Sequence, residues 1–158
     1  MKRILFFAVL SMLFSGCDSN KPISQMYNFK NATWERFKLL NFELAVKTTR
    51  HTYDLSLEVR YNENFHEKTL PVNVVMTTPD GEQRIKEYTF FLKDKDGNFQ
   101  GTKNGEIFQM MIPIRNDVRF YKTGVCKFEI ENLNPKYFTP GIIEMGVVME
   151  RAKKVNKN

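Results

Sequence analysis

The sequence predicts an all-β fold, a single antiparallel β-sandwich (Ig-like or jelly-roll-like) of about seven to eight strands. Three observations lead there. Apolar residues between positions 39 and 150 recur with period two, which places alternate side chains on opposite faces of a sheet. Turn residues punctuate that pattern at fairly regular spacing, as in sandwiches. Helical periodicity is hard to find in the same stretch.

Taken in order, Leu40, Phe42, Leu44 and Val46 alternate with Asn41, Glu43, Ala45 and Lys47. After a polar connection, Tyr53, Leu55, Leu57, Val59 and Tyr61 alternate with Asp54, Ser56, Glu58 and Arg60, a second half-buried strand. Leu70 to Thr77 is a Val-rich third strand, closed by Thr78-Pro79-Asp80-Gly81, where proline presets φ and Asp-Gly supplies turn chemistry. Ile85 to Lys93 returns from that turn. Asp94 to Asn98, Gly101 and Gly105 break the pattern before Ile107 to Ile114, whose Pro113 marks a strand end or an edge. Arg119 to Lys122 forms a short piece. Val125 to Glu131 then places Cys126, Phe128 and Ile130 on one face, and the loop 132–141 leads to the last strand, Ile142 to Glu150.

The chain has 158 residues, 42% of them hydrophobic and 27% charged, which fits one compact domain and excludes a disordered tail protein. Formal net charge is +6; without Lys2 and Arg3 the basic count drops from 24 to 22 against 18 acidic, or +4. Basic residues are spread along the chain, so no nucleic-acid footprint is expected.

The N-terminus gives a sharper signal. Met1-Lys2-Arg3 precedes the apolar run Ile4 to Phe14, too short to cross a ~30 Å hydrocarbon core comfortably. It reads as a signal peptide over 1–16. Ser15-Gly16-Cys17 resembles the bacterial lipobox, whose cysteine is acylated and becomes the first mature residue. The other use for Cys17 is a disulfide with Cys126, but alternation places Cys126 on the apolar face as a small buried hydrophobe. Each buried acyl CH₂ contributes about 0.8 kcal/mol, so two or three chains anchor effectively permanently. The expected organisation is a lipid-anchored lead-in over 17–38, a sandwich over 39–151 and a disordered tail over 152–158. In the lead-in, Trp34 and Phe37 are expected to dock on the sandwich edge.

Catalytic patterns are missing from the sequence, and no enzyme, cofactor or metal site is expected. His51 and His66 stand in connections without a cysteine or carboxylate at ligand spacing. Asp94, Asp96 and Asn98 imitate the first ligands of a calcium loop, but Phe99 occupies the position that needs glycine and Gly105 the position that needs glutamate. That stretch is expected to be a turn with Asx hydrogen bonds. Neither a Gly-x-Ser-x-Gly elbow nor a phosphate-cradling loop occurs. Aromatic residues flanking turns, above all Phe99, Tyr121, Tyr137 and Phe138, with Tyr88 beside them, could stack on sugars, which gives a glycan- or ligand-binding sandwich as the alternative function.

The order of landmarks resembles the GldH gliding-motility lipoprotein family of Bacteroidetes. Cys17-Asp18 is followed by Tyr27-Asn28, the lone Trp34, Phe42-Glu43-Leu44, Tyr53 to Arg60, the Pro79-Asp80-Gly81 turn and Asp96 to Gly101. Gly124 to Glu131 and Pro140 to Arg151 complete the series. The resemblance implies a non-enzymatic envelope lipoprotein, without catalytic residues, that serves the gliding apparatus and its linked type IX secretion system. Its implied partners are the membrane, through acylated Cys17, and other envelope or gliding and secretion proteins. Asp18 directly after the cysteine is similar to an enterobacterial inner-membrane retention signal, while the acidic run of surface-exported Bacteroidetes lipoproteins does not follow Cys17. The expected location is the cell envelope, at the periplasmic face of the outer membrane.

Overall fold

The computed structural model describes residues 21–153, so the expected signal peptide, Cys17 and most of the expected tail lie outside the described residues. The strands are β1 (Ile23–Asn28), β2 (Thr33–Glu35), β3 (Leu40–Val46), β4 (Thr52–Tyr61), β5 (Thr69–Thr77), β6 (Gln83–Phe91), β7 (Thr102–Asn104), β8 (Ile107–Arg119), β9 (Gly124–Asn132), β10 (Phe138–Pro140) and β11 (Ile142–Arg151). One sheet has the order β1-β11-β4-β8-β7, a second β3-β9-β5-β6, and β10 pairs with β2 in a small ribbon. All pairings are antiparallel. The expected all-β sandwich is therefore present with eleven strands, against seven or eight expected, because β1, β2, β7 and β10 are short or irregular in pattern.

Period two dictates the core. Leu55, Leu57, Val59 and Tyr61 of β4 and Met145, Val147 and Met149 of β11 face Leu40, Phe42 and Leu44 of β3, Val72, Val74 and Met76 of β5, and Cys126, Phe128 and Ile130 of β9. Burying each such side chain contributes about 1.5–3 kcal/mol. Cys126 takes the buried place that its alternation predicts.

Pro71 sits inside a central strand because of where its missing N–H would point. Its carbonyl accepts from Leu133 N at 3.0 Å, so its nitrogen also faces β9, next to that strand's last residue, where little pairing is lost. The next β5 residue in each pair therefore bonds to β6. Thr78 N to Glu82 O at 2.9 Å and Leu92 N to Lys68 O at 3.0 Å extend the same parity to both ends of that hairpin.

The lead-in is more structured than a segment lying along the sandwich. β1 joins the first sheet through six pairs with β11, from Ile23↔Met149 to Asn28↔Glu144. Trp34 is fully buried in the core and donates from Nε1 to the Lys38 carbonyl at 2.9 Å, whereas Phe37 is 74% exposed. Phe37 thus departs from the expected docked position. β8 runs past Pro113 because two register shifts against β4 each add a residue, and together they restore the inward parity that buries Val118.

The two open sides of the sandwich differ. On one, β1 and β3 approach, and Gln25 Oε1 accepts from Glu43 N at 2.7 Å. On the other, β6 and the part of β8 beyond β7 stand apart, and β7 covers only Ile107 to Gln109.

Candidate functional site

The loop after β9 is built on side-chain amides. Asn132 Nδ2 donates to Thr139 Oγ1 at 2.9 Å in the interior, and Asn132 Oδ1 accepts from Asn134 N at 2.9 Å. Asn134 Oδ1 in turn accepts from Lys136 N at 3.0 Å. Such Asx bonds replace the strand ladder beyond Asn132, where β9 ends. Arg36 N donates to the Tyr137 carbonyl at 2.8 Å and Arg36 Nη1 to the Pro135 carbonyl at 3.2 Å, fixing the lead-in against the loop.

The consequence is a cluster of exposed rings. Phe37 and Tyr137 meet edge to face at 5.9 Å, and Tyr137 meets Phe138 at 4.6 Å. Tyr137 and Phe138 are more than half exposed. Beside Phe138 lies a recess of about 260 Å³ whose polar lining includes His66, Glu67, Asn134 and Lys136. Arg36 lies over the Phe37 ring at 5.6 Å, and only Phe138 of the three lines the recess. Exposed rings beside a polar recess are suited to stacking on sugar rings or to packing against a partner's apolar side chains.

The four aromatic positions predicted from sequence do not form one surface. Tyr137 and Phe138 are together, and Phe37 joins them; no period-two signal pointed to it, since it lies in the connection between β2 and β3. Tyr121, 75% exposed, precedes β9 whereas Tyr137 follows it, so the two lie beyond opposite ends of a nine-residue strand, about 30 Å apart. Phe99 is half-buried, stacked on Phe108 at 4.7 Å and near Tyr61 at 6.1 Å, with Lys93 Nζ over its ring at 4.6 Å. Tyr61 Oη, beneath them, reaches the carbonyls of Leu92 at 3.0 Å and Gln100 at 2.5 Å, and burial pushes its pKa up to about 12. Tyr88 is half-buried, and Cys17 lies outside the described residues.

The Asp94 turn and the Arg60 cluster are engaged in structure. Asp94 Oδ1 accepts from Asp96 N and Asn98 N, each at 2.9 Å, and Oδ2 accepts from Asn98 Nδ2 at 3.0 Å, which is the expected Asx turn. The Asn98 side-chain bond, with the backbone bonds, holds the Asp94 carboxyl below its ordinary pKa. On the outer face of the first sheet, Arg60 bridges Glu58 at 3.0 Å and Glu144 at 2.7 Å, while Gln109 Nε2 donates to Glu58 at 2.7 Å. Both carboxylates are thereby occupied, and Glu58 is buried on a face where exposure was expected. Among the described residues, no group of three or more His, Cys, Asp or Glu side chains is placed to hold a metal ion. His51 and His66 occupy connections, as expected.

The fold is that of a small two-sheet antiparallel β-sandwich domain, with exposed rings at one end and bare strand edges on one side. The family model described as GldH lipoprotein matches residues 22–149, and the chain belongs to that family. The gliding motility lipoprotein GldH of Flavobacterium johnsoniae is 26% identical over 117 residues, covering 74% of this chain and 72% of that protein. The GldH homolog of Christiangramia forsetii is 22% identical over 128 residues, covering 81% and 78% respectively. A solved structure, the VP2 subviral particle of infectious bursal disease virus, aligns at a TM-score of 0.36 and 14% identity over 89% of this chain. This chain spans only about a third of that protein, 35%, and likeness at this level says nothing of function. The resemblance read from the ordered landmarks is borne out, and the family is one of membrane-anchored envelope lipoproteins.

Proposed function

We propose that this chain is a non-enzymatic accessory lipoprotein of the gliding apparatus, tethered through acylated Cys17 and contacting other gliding or type IX secretion proteins in the envelope. The periplasmic face of the outer membrane is its proposed location. Family membership supports the class, and one structural observation carries the mode of action: the chain enters at the end of the sandwich opposite the aromatic cluster. Ile23 pairs with Met149, near the start of β4, whereas the cluster lies with Tyr61 and Gly141 at the other end of that strand. Cys17 is six residues from Ile23, a reach of ~20 Å at most, so the rings would be held away from the bilayer.

Gentle detergent extraction of a C-terminally tagged chain from native membranes, with mass spectrometry of the N-terminal peptide and of co-purifying proteins, tests the proposal. Acylated Cys17 together with gliding or secretion components is the expected result. Full membrane retention and function of Cys17→Ala would overturn the tether.

The exposed trio of Phe37, Tyr137 and Phe138 favours a second reading, a glycan-binding sandwich. Calorimetry against peptidoglycan and polysaccharides tests it: saturable binding abolished by Tyr137→Ala supports it, and the absence of heat with every glycan removes it.

A further inference from the structure

We infer that the free edge of β6 is a docking site for an extended, acidic segment of a partner polypeptide, which adds to the second sheet as a fifth strand. This inference rests on the contact-making role proposed above and names the surface and the chemistry of the contact.

The hydrogen-bonding capacity is fixed by parity. Because Arg84, Lys86, Tyr88 and Phe90 bond toward β5, the N–H and C=O groups of Gln83, Ile85, Glu87, Thr89 and Phe91 point to the side without a strand neighbour. Nine consecutive pairs, from Thr69↔Phe91 to Thr77↔Gln83, show that β6 is regular, without a bulge.

The other edges are guarded, as native sheets usually are. β1 and β3 lean on each other through Gln25. β7 has three residues. The uncovered stretch of β8 carries Pro113, two register shifts and Asp117 at φ 53°. β6 instead presents Ile85 and Phe91, each about two-thirds exposed, on its outer face.

Charge selects the occupant. The gap between β6 and β8 holds a cleft of about 110 Å³, and a second of about 550 Å³ lies at the Phe91 end of β6, walled mainly by the loop that follows it. Their lining includes six cations, Arg84, Lys86 and Arg115 in one and Lys68, Lys93 and Lys95 in the other, against a single carboxylate, Asp94, which its own turn consumes. Arg84 is paired with Glu82 at 2.7 Å; Lys86 lies over Tyr88 at 4.9 Å and Lys93 over Phe99 at 4.6 Å. A second copy of this chain would bring the same positive sign to the gap, whereas a strand with carboxylates facing the cleft would neutralise it. Its alternate, apolar side chains would then lie beside Ile85 and Phe91 on the outer face. Glu87, also on that outer face, favours apolar over acidic neighbours there.

The test is hydrogen exchange on the full-length lipoprotein in detergent, with a synthetic ten-residue alternating Val-Glu peptide and an alternating Val-Lys peptide as probes. The expected result is at least tenfold slower exchange over 83–91 with Val-Glu and none with Val-Lys, and loss of that protection with reversed preference in Lys86→Glu/Lys93→Glu. Equal protection by both peptides, no protection by either, or protection that grows with protein concentration alone would each overturn the inference. Acylation of Cys17 is scored in the same samples: an unacylated chain defeats the tether while leaving the edge result to stand by itself.

Discussion

Tyr88 of β6 donates from its hydroxyl to the Ile114 carbonyl of β8 at 2.9 Å, a hydrogen bond that spans the open side of the sandwich. It ties an edge strand to the opposite sheet where no backbone ladder can. Tyr88→Phe keeps the ring and leaves the carbonyl half-buried, so a loss of about 1 kcal/mol is expected in urea unfolding. Faster amide exchange should accompany it in β6 and not in β11. Uniform acceleration across both strands would show that the bond does not act locally.

Alkali should weaken the fold through two buried groups. Burial raises Cys126 from 9.0 to about 12 and Tyr61 from 10.0 to about 12. Between pH 9 and 12 the unfolded chain releases these protons while the native chain keeps them, so stability is full below pH 9 and falls as pH rises. A loss on the order of 4 kcal/mol by pH 11 is expected from the two groups together. Urea midpoints from pH 8 to 11 for the parent, Cys126→Ala and Tyr61→Phe check this; each variant should show a shallower slope.

Gly141 and Gly97 share a left-handed backbone, φ 84° and 89°, but differ in surroundings. A Cβ on Gly141 would lie 2.1 Å from Phe65 N, a backbone atom, whereas one on Gly97 meets nothing within 4 Å. Gly97→Ala is expected to cost roughly 1–2 kcal/mol from conformation alone. Gly141→Ala should cost clearly more, because the 62–65 turn must move. Equal losses would disprove the close approach.

The ring cluster separates recognition from stability. Phe37→Ala and Tyr137→Ala remove exposed side chains and should change unfolding free energy by about 0.5 kcal/mol or less. Any glycan or partner affinity carried by the cluster should fall at least tenfold in both. Trp34→Ala, in the core under the same loop, provides the contrast at roughly 3–5 kcal/mol.

The long strands were legible because each buries one face. Leu40 to Val46, Tyr53 to Tyr61 and Leu70 to Thr77 were placed within a residue of their observed bounds. β1 was not, since Ile23–Asn28 is an edge strand whose mixed burial leaves no alternation to read. The end of β8 is hidden by Pro113, Asn116 and Asp117, because the bulges there mask an inward parity that resumes at Val118 and continues past the strand to Phe120. At the candidate site, Tyr137 and Phe138 were recognisable as loop aromatics beside prolines. Phe99 carried the same local signal, yet Tyr61 and Phe108, distant in sequence, provide it with a packing surface.

The β1–β11 seam has a mechanical consequence. The two strands run antiparallel with six residue pairs in register, and the chain reaches β1 from the end away from the aromatic rings. Tension between an anchor upstream of Ile23 and a load on those rings would act along the strand axis. The ladder would then be loaded in shear, its bonds sharing the force, instead of being peeled open one at a time. A ladder pulled in that direction resists rupture far better than the same ladder pulled crosswise, because six pairs share the force.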